Sequence, residues 1–364
     1  MATESARPPI PVANLYHLLS YAWEVNGWGD LEEVVRDDHR GYSEMLTRLI
    51  ARGCVHLLKR GLHRDYREVT AAEPGIRGRL EVSATLSTLG FETARVVCTR
   101  DEFTADVPVN QTLKSTLLRA ASMPGMPDEV ARSARSTALR MTEVRVIPLH
   151  LGLFDARPLH LPRNNRFYPF LLAACRLLYE ASSFREQADS TDQSDLRMYA
   201  ILEARLPQLF EAFVRNFYRT HLPPLGWSRF LPQHIEWQWS SADPASAAYL
   251  PQMKTDITLE HPDRKIILDT KFYRSGGIND RGTFESHNLY QLHAYVSQLA
   301  RRPYRASSSH PHDIDAEGIL LYATASDRDY LHRFSMPPHR MTVATVNLAG
   351  SWRDIESRLL EVLA

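Results

Sequence analysis

At 364 residues, with 44% hydrophobic and 24% charged residues, the chain has globular composition and enough length for two domains with a sizeable core. Its 43 basic residues cancel 43 acidic ones, which excludes a protein that coats nucleic acid through bulk charge, so any DNA contact has to be local or shared with a partner. Cys54, Cys98 and Cys175 have no paired spacing, no apolar run approaches the ~20 residues of a membrane span, and MATESARPPIPV lacks a signal-peptide layout, so the expected location is cytoplasmic.

Residues 1–11 are a Pro-rich lead. Asn14 is placed to cap a helix with Leu15, Leu18, Leu19, Ala22 and Trp23 at helical spacing, ending near Asn26-Gly27. Its aromatic stripe, Tyr16, Tyr21 and Trp23, reads as core packing, and Trp28–Asp38 as short, acidic and irregular. A second helix is expected over Tyr42–Lys59, then strands over Tyr66–Ala71, Ile76–Leu86 and Ala94–Thr104, with turns at Pro74-Gly75 and Leu89-Gly90. The basic run from Lys59 to Arg67 reads as a solvated helix end. Two more helices follow at Asn110–Ser122 and Pro127–Val144, the latter with Asp128 and Glu129 at its positive end. Residues 145–166, with Pro148, Pro158 and Pro162, read as a connection. Phe167–Ser182 is an apolar helix suited to bridging two domains, and Glu186–Asp195 is linker-like.

A long amphipathic helix, Met198–Arg219, carries Glu211 and precedes a strand at Ile235–Trp239. Two runs then fold on each other by arithmetic. Thr255–Glu260 and Lys265–Phe272 flank His261-Pro262-Asp263-Arg264, a loop of hairpin length. Pairing Glu260 with Lys265 sets Thr258 against Ile267 and Asp256 against Asp269, with Lys271 two residues further on the same face. Ile257, Leu259, Ile266, Leu268, Thr270 and Phe272 make the other, largely apolar face. Two opposed carboxylates repel unless a cation lies between them, and oxygen-only ligation suits Mg²⁺ or Mn²⁺. A lysine beside them orients or deprotonates a water and balances phosphate charge.

This Asp-x12-Asp-Thr-Lys arrangement resembles the metal-dependent PD-(D/E)xK nuclease core, and the helix, three-strand, helix, strand order of residues 198–323 matches its layered α/β plan. After a Gly-rich loop at Ser275–Gly282, a helix over His287–Ala300 places Gln291 and Tyr295 on one face, a QxxxY pair resembling a motif of RecB-type nucleases. Strands at Gly318–Ala323 and Thr342–Asn347 and a Ser351-capped helix complete the chain. GxxxxGK[ST], CxxC and HExxH are all missing, which argues against nucleotide triphosphate binding in a P-loop and against a zinc site. The histidines His287, His293, His310 and His312 are scattered.

Along most of its length, in IPVANLYHLLSYAW, PGIRGRLEV, DVPVNQTLKSTL, KTDITLE, IILDTKFY, SHNLYQLHAYV and TVNLAGSW, the chain resembles the McrC family. These are the nuclease subunits of the McrBC 5-methylcytosine-specific (type IV) restriction systems. The resemblance implies a mixed α+β partner-binding domain over 1–160 and a PD-(D/E)xK endonuclease domain over 161–364. It implies catalytic roles for Asp256, Asp269 and Lys271, supported by Gln291 and Tyr295. Asp256 and Asp269 would hold Mg²⁺ or Mn²⁺, with Glu211 as a plausible third ligand. It further implies an McrB-like AAA+ hexamer that binds and hydrolyses GTP, is stimulated by this chain, and reads the modified cytosine of double-stranded DNA. The competing expectations are a non-catalytic adaptor on that ring and a stand-alone repair nuclease.

Overall fold

A computed structural model describes residues 10–25, 41–155, 167–183, 192–237, 244–273, 276–279, 281–300, 316–326, 328–336 and 339–364. In chain order its elements are α1 (Val12–Ala22), α2 (Tyr42–Arg60), β1 (Asp65–Glu73), β2 (Arg79–Leu80), α3 (Val82–Ser87), β3 (Val96–Thr104), α4 (Pro108–Ala120), α5 (Asp128–Arg140) and α6 (Phe167–Ser183). Then come α7 (Asp192–His221), β4 (Phe230–Leu231), β5 (His234–Ile235), β6 (Met253–Lys254), β7 (Ile257–His261), β8 (Arg264–Phe272), α8 (Ser286–Ala300), β9 (Ala316–Thr324), β10 (Leu331–Met336), β11 (His339–Asn347) and α9 (Trp352–Glu361). No described helix is long and apolar enough to cross a membrane. All three cysteines are buried and unpaired.

The chain divides into a helical unit, Trp28–Ile201, and a sheet unit made of Met1–Gly27 with Leu202–Ala364. The division expected at 160 therefore moves. Helix α6 does not bridge domains but packs inside the helical unit, where Gly53 of α2 lets the Leu171 and Phe167 side chains approach so closely that a Cβ would collide with them. Tyr168 of α6 ties the same unit together, its hydroxyl donating to Asn110 Oδ1 at 2.7 Å and accepting from the His63 amide at 2.8 Å. The linker expected at Glu186–Asp195 lies outside the described residues up to 191, and from Asp192 the chain is helical.

In the helical unit β1 pairs antiparallel with β3 over nine residue pairs, from Asp65↔Thr104 to Glu73↔Val96. The strand expected over Ile76–Leu86 survives only as β2, and Val82–Ser87 is helical instead. Thr85 supplies the reason: its hydroxyl donates to the Glu81 carbonyl and accepts from the Val97 amide, fastening the helical turn onto β3.

The sheet unit is built on the strand order β10-β11-β9-β8-β7-β4. Strands β8, β9 and β11 are parallel neighbours, while the β7–β8 and β10–β11 pairs are antiparallel. Parallel pairing of β8 with β9 needs a crossover, and α8 provides it. Its Leu292 and Val296 are buried with Ile267, Leu320, Tyr322, Met341 and Val343. The face expected to be polar is thus largely covered, and Thr258, Ile267 and Asp269 are as buried as the apolar face opposite.

Helix α1 belongs to this unit, although its sequence lies far from the sheet. Pro11, not Asn14, is the N-cap; Asn14 Nδ2 donates to the carbonyls of Leu348 and Gly350, both at 2.8 Å. His17 stacks on Trp352 with ring centroids 4.1 Å apart, and Tyr21 packs edge-on against Phe213. Of the aromatic stripe, Tyr16 and Tyr21 are core, as expected, while Trp23 is only half-buried; burial pushes the His17 imidazole down to about 4, so it is neutral at physiological pH. The region around Asn26–Asp38 lies outside the described residues. Ser351 caps α9 as expected, accepting from the Asp354 amide at 3.2 Å.

Candidate active site

The hairpin has the register that arithmetic assigns it: Glu260↔Lys265, Thr258↔Ile267 and Ile257↔Leu268 are partners. Its loop is tighter than expected, because His261 pairs with Arg264 and only Pro262 and Asp263 turn the chain. The ladder stops one residue short of Asp256. That residue lies in a bend preceding β7, held on both sides: Thr255 exchanges hydrogen bonds with the Gln233 backbone, and its hydroxyl lies 3.1 Å from that of Thr258. From there Asp256 Oδ2 accepts from the amide and the hydroxyl of Thr270, at 2.8 and 3.0 Å.

Asp269 sits near the C-terminal end of β8, the usual position for sites in open α/β sheets. It is 1% exposed. Lys271 Nζ meets its Oδ2 at 2.6 Å, an ion contact off the line of a well-aligned hydrogen bond, and Oδ1 receives no donor. Burial, then the Asp256 charge, raises the Asp269 carboxyl to about 6; Lys271 opposes the shift and Glu211 adds to it. For Lys271, burial works against the ammonium, but Asp269, with Asp256 behind it, outweighs burial and holds the pKa above the ordinary lysine value. At neutral pH Lys271 is therefore protonated beside Asp269.

Glu211 on α7 is close enough to Asp256 and Asp269 for their charges to be felt: burial, then Asp256, raises its carboxyl. It is nevertheless turned into an ion pair with Arg215 at 2.9 Å. Among the described residues no three His, Cys, Asp or Glu side chains are grouped closely enough to hold an ion. Gln291 and Tyr295 do share a face of α8, but Gln291 Nε2 donates to Tyr295 Oη at 2.8 Å. Tyr295 is packed in the cluster with Ile235, Met253 and Ile267, toward the start of β8. The α8 residue beside the Lys271 level is Asn288, whose Nδ2 donates to Tyr322 Oη at 3.0 Å. Sequence reasoning missed Asn288, Tyr322 and Thr270. Asn288 lies in line with the QxxxY pair, three residues before Gln291, which is the one signal that points to it.

A buried carboxylate with an oxygen lacking any donor, raised in pKa by burial and then by a second carboxylate, is a donor set that fits a hard divalent cation. Asp256 and Asp269 are the residues that would hold it.

The fold and site define a mixed-sheet α/β protein with an acid–acid–lysine centre at the C-terminal end of its central strand. A family profile described as "McrBC 5-methylcytosine restriction system component" matches residues 7–305, and the chain belongs to that family. It is 28% identical over 365 residues, 98% of each chain, to the Type IV methyl-directed restriction enzyme EcoKMcrBC of Escherichia coli strain K12. Its fold is similar, at a TM-score of 0.53 and 16% identity over 97% of this chain and 75% of the other, to a chain in the half-complex of Thermococcus gammatolerans McrB AAA+ hexamers with bound McrC.

Proposed function

We propose that the chain is the metal-dependent endonuclease subunit of an McrBC-type restriction system, cleaving modified, methylated DNA together with an McrB-like AAA+ ring that hydrolyses GTP and is stimulated by this chain. The observation that carries the reading is Asp269: a carboxylate buried at a cost, facing Asp256, with one free oxygen and Lys271 at 2.6 Å. An adaptor that only docked on a ring would have no use for this self-repelling pair. Family membership and the likeness to McrC bound to McrB hexamers support the partner, and the helical unit, Trp28–Ile201, is the part assigned to engaging it.

When bound, Mg²⁺ or Mn²⁺ stabilises negative charge on the scissile phosphate and lowers the pKa of a coordinated water. The chain's own residues do the rest. Thr270 pins Asp256 through its Oδ2 alone, so the two bonds leave Oδ1 uncommitted. Lys271 stays protonated, holds Asp269 in place, and offers its remaining hydrogens to a phosphate oxygen or to the attacking water. Ile267, two residues before Asp269 on the same face of β8, is buried with Leu292 and Val296. The test is cleavage of methylated DNA by the full chain with its partner, GTP and Mg²⁺. Asp269→Asn is expected to lose cleavage while still binding the partner; cleavage at the wild-type rate would remove Asp269 from the site.

A further inference from the structure

Around Asp256, threonines are buried where valine would fill the same space: Thr255 is 1% exposed, Thr258 0% and Thr270 8%. A buried hydroxyl costs free energy unless it is hydrogen-bonded, so each one has to be explained by a contact. Upstream of the hairpin, the Thr255 hydroxyl accepts from the Gln233 amide at 2.8 Å and lies 3.1 Å from the Thr258 hydroxyl. Those two contacts fasten the backbone on either side of the bend and do not reach the Asp256 carboxylate. Thr270 does reach it. Its amide donates to Asp256 Oδ2 at 2.8 Å and its hydroxyl donates to the same oxygen at 3.0 Å.

The β7–β8 ladder ends at Ile257↔Leu268, so the Thr270 amide lies past its end, and the Asp256 side chain supplies the acceptor for it. The amide alone would satisfy the backbone; the hydroxyl adds a second donor on the same oxygen. Rotation about the Cβ–Cγ bond of Asp256 would interchange its two oxygens, and it would break both bonds at once. The carboxylate is thereby fixed with Oδ2 spent and with Oδ1 taking no hydrogen bond among the described residues. Thr270 stands between Asp269 and Lys271 on β8, so the same short segment supplies the acid, the lysine and the clamp on the second acid.

We propose that Thr270 is a positioning residue for the divalent cation: its amide and hydroxyl hold Asp256 by Oδ2, so that Asp256 meets the cation through Oδ1 alone. Carboxylates that ligate metals are ordinarily hydrogen-bonded in turn, and loss of such a partner typically weakens metal binding by 10–100-fold. Thr270 touches neither the ion nor DNA and acts through Asp256. The inference rests on the metal-dependent reading of the site.

Mn²⁺ titration calorimetry of the full-length chain tests it, with thermal unfolding recorded on each protein. Thr270→Val keeps the branched shape and the amide but loses the hydroxyl, and it is expected to weaken Mn²⁺ binding about 10-fold. Thr270→Ser restores the hydroxyl and is expected to bind Mn²⁺ as wild type does. Thr345→Val is the control for stability: it removes a buried hydroxyl two strands away on β11, one that accepts from the Tyr330 amide at 2.9 Å. It is expected to melt lower than wild type with unchanged Mn²⁺ affinity. Wild-type affinity in Thr270→Val, failure of serine to restore it, or an equal loss of affinity in Thr345→Val overturns the positioning role while leaving the metal site standing. Wild-type protein that binds no Mn²⁺ overturns the metal reading and the positioning role with it.

Discussion

Ionising Asp269 places a charge in a buried position facing Asp256, and its pKa rises from 3.8 to about 6. The folded chain therefore holds this proton more tightly than the unfolded chain does, so stability falls as pH rises from about 4 to 6 and stays lowered above that window. Asp269→Asn imitates the protonated form. Without metal it is expected to melt at or above the wild-type temperature at pH 8 and to show no advantage at pH 4; a lower melting temperature at pH 8 would count against a carboxylate under strain. Asp256 behaves differently, because its Oδ2 serves the Thr270 amide and hydroxyl. Asp256→Ala leaves that buried amide unpaired and should cost about 1–3 kcal/mol in urea unfolding, whereas Asp256→Asn keeps an acceptor and most of the stability. Equal stability of the two variants would contradict the structural half of this role. The register of the hairpin that carries Asp269 and Lys271 was legible in the sequence because strand periodicity and one cross-strand charge pair, Glu260 with Lys265, set it. The clamp on Asp256 was not legible, since it depends on Gln233, more than twenty residues upstream.

At the scale of elements, the misreadings share a cause: a distant contact overrides a local signal. Asn14 has the side chain of an N-cap, yet it spends both amide hydrogens on carbonyls more than three hundred residues away. Val82–Ser87 alternates well enough for a strand, but Thr85 locks it as a helical turn against β3. Strand β10 went unseen because an edge strand reading Leu331–Met336 carries polar residues with no apolar alternation to report it. Helix α8, by contrast, was legible from its apolar spacing alone. The Asn14 bonds also carry a prediction. Asn14→Ala removes two hydrogen bonds, one of them fully buried, that tie α1 to the segment before α9, and a loss of roughly 1–3 kcal/mol in global stability is expected from chemical unfolding. No change would mean that α1 is not a part of the sheet unit's cooperative structure.

For the whole molecule, the division into Trp28–Ile201 and a sheet unit that includes the N-terminal helix changes how the two proposed activities are to be separated. A fragment ending at 160 would leave α1 without Trp352 and Phe213 and the helical unit without α6, so point variants of the full chain are the sound comparison. We propose that one chain carries a phosphodiester-cleaving site in the sheet unit and a separate ring-engaging surface in the helical unit. The most direct measurement follows cleavage of methylated DNA and GTP turnover in one reaction with the AAA+ partner, Mg²⁺ and either wild type or Lys271→Ala. Removing a preorganised group that stabilises transition-state charge ordinarily costs on the order of 100–1,000-fold. Cleavage is expected to fall by about that much while GTP turnover stays at the wild-type level; cleavage that persists, or GTP turnover that falls with it, would contradict the account.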